Sequence, residues 1–188
     1  SVTMLRVSNA SGDGFTISAG SINMSFILVD NSSGKAIVIN DTGDATIANV
    51  TLYGNGYGLY DNSSGSITMV NSIVDIDPNY SQPGWWLNFI LSADSLTGPP
   101  VVTYSYALSW DGSYAGTGNI SSDPLFVDAE NGDFNLDLLS PCIDAGDPSS
   151  VYDPDSTVAD IGAFPRLRQF LTGTSDGDIT VSADTTVI

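Results

Sequence analysis

The sequence predicts an all-β chain wound as a single-stranded parallel β-helix of about five to six short rungs, with one loop insertion and a strand-like C-terminal tail. Three observations carry this. Helix formers are scarce, with one glutamate and one lysine in 188 residues against 19 glycines and abundant Asn, Ser and Thr. Short β-branched runs dominate, each closed by Gly, Asn or Asp. The runs also recur at a step of about 22 residues, a period suited to coils that stack strand on strand.

In chain order the runs lie at 16–18, 26–29, 36–39, 45–48, 50–53, 66–70 and 101–104. Residues 46–52 match 68–74 in type, which sets the step. Asp30-Asn31-Ser32-Ser33-Gly34 returns as Asp61-Asn62-Ser63-Ser64-Gly65, and 21–24 and 102–108 read as further copies. Asn suits the corners because it tolerates left-handed backbone and its side chains can stack. A β-sandwich of this length competes, but its strands are longer and alternate more strictly. The helix is expected over 1–165, interrupted at about 75–100 by a Pro- and Trp-containing loop, with a tail at 166–188.

Charge narrows the partners. Twenty-two acids face Arg6, Lys35, Arg166 and Arg168 with no histidine, for a net charge of −18. Nucleic acid is a poor partner, because phosphate binding needs clustered Lys and Arg, and a polyanionic glycan or a bare anionic membrane is repelled unless divalent cations intervene. Cations, neutral glycans and other protein surfaces remain. A lone Cys142 forms no intrachain disulfide. No apolar run is long enough for a membrane span, and the chain opens without a basic-then-apolar leader, as expected if a leader has been removed or if the sequence is a fragment.

From Asn71 to Phe164 the chain resembles the right-handed parallel β-helix proteins of bacterial and archaeal surfaces, a pectate-lyase-like superfamily. The resemblance rests on Asn71-Ser72-Ile73-Val74, on 102–106, on the run from Gly118 through Asp123-Pro124-Leu125-Phe126 to Asp128, and on Asn131-Gly132-Asp133-Phe134-Asn135-Leu136. Ser140-Pro141-Cys142-Ile143-Asp144-Ala145-Gly146-Asp147-Pro148 and Asp160-Ile161-Gly162-Ala163-Phe164 complete it. It implies a right-handed fold, terminal coils over 119–164 and an extracellular or cell-surface location. It implies little about chemistry, since the superfamily holds lyases, glycosidases, adhesins and structural repeats.

Several residues invite a chemical role. Asp153, Asp155 and Asp160, near Asp144 and Asp147, offer hard oxygens for Ca²⁺, against the alternative that Asp at turns caps its own backbone. No catalytic residue is assigned. The four cations are too scattered for a lyase centre, and Asp44, Asp61 and Asp75 read as turn residues, although two carboxylates across a cleft suffice for a glycosidase. Trp85, Trp86 and Trp110, with Tyr80, Tyr104, Tyr106 and Tyr114, can stack on sugar, anchor an interface or cover the solenoid. Glycosylation sequons occur at Asn9, Asn23, Asn31, Asn40, Asn49, Asn62, Asn79 and Asn119, more than the roughly three that composition alone provides, although the repeat itself favours Asn before polar residues.

The function expected from these features is non-enzymatic: an extracellular structural protein that self-associates into a filament or layer through the ends of its β-helix. The tail at 179–188 would add as a strand to a neighbour or fold back on its own chain. The alternative is a carbohydrate-binding module or glycosidase on the same scaffold.

Overall fold

The computed structural model describes residues 4–18, 20–40, 43–76, 90–92, 99–109, 112–167, 170–173 and 179–182. Its strands are β1 (Leu5–Ser8), β2 (Phe15–Ile17), β3 (Ile22–Asp30), β4 (Lys35–Asn40), β5 (Ala45–Asn55), β6 (Tyr57–Asn62), β7 (Ile67–Val70), β8 (Ile73–Ile76), β9 (Ile90–Ser92), β10 (Val101–Thr103), β11 (Tyr106–Ser109), β12 (Gly112–Ser113), β13 (Phe126–Asp128), β14 (Asp133–Leu136), β15 (Phe170–Gly173) and β16 (Ile179–Ser182). The chain is all-β, and it forms a parallel β-solenoid of about three turns. One wall follows the order β1-β3-β5-β8-β11, with β7 also paired to β5 and β10 to β7; the opposite wall is β2-β4-β6-β9.

The 22-residue step is visible in the register. Leu5 pairs with Ile27, Ile37 with Leu59, and Thr46, Ile47 and Ala48 with Thr68, Met69 and Val70. Ile73 then pairs with Tyr106 and Thr68 with Val101, a step of 33 residues; most of the insertion expected at 75–100 lies outside the described residues, and β9 within it pairs with β6. The repeated Asp-Asn-Ser-Ser-Gly has a different meaning from a coil. Asp30 lies on the long wall against Tyr53, whereas Asp61 lies on the opposite wall against Ile39. It is a turn sequence used at two corners.

Corners are set by left-handed residues in columns. Phe26, Asn49, Asn71 and Tyr104 have φ of 56°, 51°, 50° and 47°, and Asn9, Asn31 and Gly54 form a second column at 55°, 53° and 62°. Asn is the non-glycine residue that occupies this region at least cost, which explains why it recurs at one coil spacing. Buried Asn55 closes another corner, accepting from the Ser32 N–H and donating to the Val29 carbonyl.

Ile27, Val29, Ile47, Val50, Leu52, Val74 and Ala107 point into the coil interior, where they meet Ile37, Ile39 and Leu59 of the other wall. The long wall is also covered outside. Leu28, Thr51 and Ile73, which alternate with the interior residues, are fully buried. This two-sided burial explains the unbroken apolar run at 26–29.

The cover is residues 118–167. Among the described residues this segment contributes one parallel bridge, Tyr106 to Ile120, and otherwise lies along the outside of the wall instead of adding the long terminal rungs that the resemblance implied. The β13–β14 hairpin carries Phe126 and Phe134 onto Tyr53, and Arg6 of the first rung lies over the Phe134 ring and reaches the Gly132 carbonyl. The segment thus runs back across the wall to the first rung, a strap over the coils. Ile73, Tyr106, Leu136, Cys142 and Ile161 form the core beneath it.

Candidate functional site

The strap crosses the asparagine column. Asn71 accepts at Oδ1 from the Asp147 N–H (2.7 Å) and donates to Ser150 Oγ (3.1 Å), while the Gly162 N–H donates to its backbone carbonyl. Asn49 donates to the Asp160 carbonyl, and the Ala163 N–H donates to Thr51 Oγ1 (3.0 Å). The corner asparagines and Thr51 therefore hold the strap as well as turning the coil.

Inside the strap lie the carboxylates predicted to bind Ca²⁺. Asp153 and Asp160 are buried, at 8% and 1% exposure, and the structure brings them together. Asp153 Oδ2 accepts from the Asp160 N–H (2.9 Å); Asp160 Oδ1 accepts from the Asp144 N–H (2.7 Å) and its Oδ2 from the Arg166 N–H. Asp155 closes a local turn by accepting from the Thr157 N–H and hydroxyl, and Asp147 does the same with Ser149. Among the described residues no three His, Cys, Asp or Glu side chains are placed to hold a metal ion. Asp153 Oδ2 and both Asp160 oxygens accept from N–H groups of the strap.

Burial and neighbouring carboxylates raise the proton affinity of both acids. Burial and the neighbouring Asp160 push Asp153 up to about 7, and burial also raises Asp160 against two backbone N–H bonds that favour its charged form. Asp147, half-buried and bonded twice by Ser149, is lowered.

Other acids divide by position. Asp44 accepts from the Ser66 N–H one coil below, and Asp61 from the Ser63 N–H and hydroxyl, so both are corner caps. Asp75 differs. It ends on β8 beside the insertion, where burial and then the charge of Asp123 raise it to about 6. Tyr106 is raised by burial and by these two carboxylates, which places all three groups in one neighbourhood at the last rungs. Asp123 carried no signal in the sequence beyond its place in an Asp-Pro turn. Burial pushes the Cys142 thiol up to about 12, as suits a core thiol.

Trp85, Trp86, Trp110 and Asn79 lie outside the described residues. Of the other sequon asparagines, Asn9, Asn23, Asn31 and Asn62 are exposed and Asn40 and Asn49 are half-buried. Asn119 is committed to the fold, donating to the Val102 and Tyr114 carbonyls and accepting from the Ser105 N–H. Asn62 donates to Asn40 one coil above (3.2 Å), a stacked pair. Much of the sequon excess is thereby explained by corners that need Asn.

Two edges bear on assembly. The outer edges of β1 and β2 have no strand partner among the described residues, and Met4 and Leu5 at this end are 37% and 49% exposed. At the far end the long wall is closed by the antiparallel β11–β12 turn and the Ile120 bridge. In the tail, β15 and β16 pair antiparallel with each other and with no other described strand.

Comparison with known proteins yields no match to a family model, a curated protein or a solved structure. No described helix is long and apolar enough to cross a membrane.

Proposed function

We propose that the chain is a non-enzymatic structural module of an extracellular surface, related to the right-handed pectate-lyase-like β-helices, that joins copies of itself by strand addition at its first rung. The observation that carries this reading is the outer edge of β1 and β2, two rows of backbone donors and acceptors that no described strand covers. The β15–β16 hairpin supplies a matching element, because two strands alone are marginal in water and gain from a third. One end offering an edge and a distant segment offering strands is a head-to-tail contact, which grows into filaments when the rotation does not close.

The test is electron microscopy with light scattering of the full chain, beside a 1–167 truncation and a Met4→Lys/Leu5→Lys variant. Filaments or oligomers from the full chain that both variants lose support the reading. A full chain monomeric at every concentration overturns it.

A carbohydrate-active alternative is favoured by one observation, a raised Asp75 with Asp123 and Tyr106 as neighbours, since a carboxyl that keeps its proton near a second carboxylate suits a general acid. Hydrolysis of a neutral polysaccharide that Asp75→Asn abolishes would support it, and no binding or turnover across a glycan panel would remove it.

A further inference from the structure

We infer that the outer face of the β13–β14 hairpin, with the turn that follows it, is a docking surface for a cationic amphipathic segment of another protein. The segment's apolar side chains cover Leu125, Val127, Leu138 and Leu139, and its Lys or Arg side chains meet the carboxylates among them. The inference stands on this face alone and does not depend on strand addition at β1 and β2.

Four of the nine large apolar side chains exposed among the described residues lie in this one stretch: Leu125 at 38%, Val127 at 53%, Leu138 at 73% and Leu139 at 82%. The fold gathers them on one side. Phe126, Phe134 and Leu136 turn toward the wall, so Val127, which alternates with Phe126, faces away from it. The Asp137 N–H donates to the Leu125 carbonyl (2.8 Å), and the Ser140 hydroxyl donates to the Pro124 carbonyl, which pins the turn bearing Leu138 and Leu139 beside Leu125. Single exposed apolar residues are ordinary, whereas a gathered set with polar surroundings marks a contact surface.

Charge selects the occupant. Asp123, Asp128, Glu130 and Asp137, all exposed, flank or follow these apolar residues in the chain. Two of the carboxylates are held by the leucines' own backbone: Asp123 accepts from the Leu125 N–H and Asp137 from the Leu139 N–H, each at 2.9 Å. Asp128 accepts from the Asn131 side chain (2.8 Å). The described cations near the hairpin are already engaged, Arg6 with Asp30 and the Gly132 carbonyl, and Arg166 with the Leu136 carbonyl. A second copy is a poor occupant, because it brings a net charge of −18 and its Lys35 lies over its own Tyr60 ring. A partner with Lys or Arg alternating with apolar residues meets both features, since it buries the leucines and places positive charge against the acids.

Calorimetric titration of the full chain with three synthetic peptides of equal length tests this: alternating Lys and Leu, alternating Lys and Ser, and alternating Glu and Leu. The Lys/Leu peptide should bind at least about tenfold more tightly than either control, and more weakly as salt is raised. Leu138→Ser/Leu139→Ser, which changes only exposed side chains, should weaken it by about tenfold or more. Asp128→Asn/Asp137→Asn keeps an oxygen for each turn bond and should do the same. Asp13→Asn/Asp44→Asn removes the same charge at exposed coil corners and should weaken it by less than about threefold. Equal binding of the Lys/Ser peptide overturns the inference, since charge alone then explains it, and so does equal binding of the Glu/Leu peptide. An equal loss from the two Asp pairs also overturns it, because the attraction then belongs to the whole molecule. Absence of Lys/Leu binding overturns it as well, as does self-association of the full chain that Leu138→Ser/Leu139→Ser disperses, which would assign the face to a second copy.

Discussion

Asn71 does three jobs with one side chain and one backbone geometry. Its φ of 50° turns the coil, its amide oxygen holds the Asp147 N–H, and its amide nitrogen holds Ser150. Asn71→Ala loses both bonds and puts in the left-handed region a residue that tolerates it less well than Asn, so it should cost about 2–4 kcal/mol by denaturant titration. Asn71→Gly keeps the turn and loses only the bonds, so it should cost less. Glycine matters for another reason at Gly65, whose added Cβ would come 2.2 Å from the Gly43 backbone one coil away. Gly65→Ala must push the two coils apart at that corner, with an expected loss of more than about 2 kcal/mol. Asn at the corners was legible because a left-handed residue leaves a compositional mark. Phe26 and Tyr104 in the same column were not, since an aromatic at positive φ is held there by the neighbouring coils and leaves no local sign.

At the scale of elements, the strap depends on a bond back to the first rung. Arg6 presents Nε and Nη2 to the two oxygens of buried Asp30 (3.1 and 3.2 Å) and lies 5.6 Å from the Phe134 ring centre. Arg6→Ala leaves Asp30 buried with Ser8 and Asn31 as its remaining described partners. It should cost about 2 kcal/mol and loosen the β13–β14 hairpin in preference to the coils, read by chemical shift changes at Phe126 and Phe134. Arg6→Lys should recover less than half, because an ammonium cannot make the two-pronged contact. The strands and their period were readable, for each coil repeats the same pattern against its neighbour. The strap was not. Its Asp-Pro and Asp-x-Ser/Thr turns look like coil corners, and only tertiary packing shows that they fold against the outside of the wall. For the same reason the hydrogen bonds of the acids at 153–160 to backbone N–H groups of the strap are not visible in one dimension.

For the molecule as a whole, charge and burial give stability the same direction with pH. Asp75 and Asp153 keep protons in the fold that the unfolded chain releases near its ordinary value of 3.8. Stability from these groups is thus full below about pH 4 and is lost as pH rises through about 6 and 7. Self-repulsion at a net charge of −18 adds to the loss, and salt screens that part. The melting temperature at low ionic strength should be higher at pH 5 than at pH 8, and Asp75→Asn/Asp153→Asn should flatten the difference. A melting temperature that rises from pH 5 to pH 8 would contradict these assignments.

The register step carries a consequence for length. Because 45–48 sits on 67–70, and 51–53 on 73–75, each at 22 residues with the same faces inward, a coil is an interchangeable unit. The step of 33 shows that the pile already accepts eleven additional residues between two units without losing alignment. Duplicating residues 45–66 in tandem should therefore add one layer of about 4.8 Å to the column and leave both ends as they are. Small-angle scattering would read this as a longer rod of unchanged cross-section, the behaviour of a part whose reach is set by how many copies of one coil it contains.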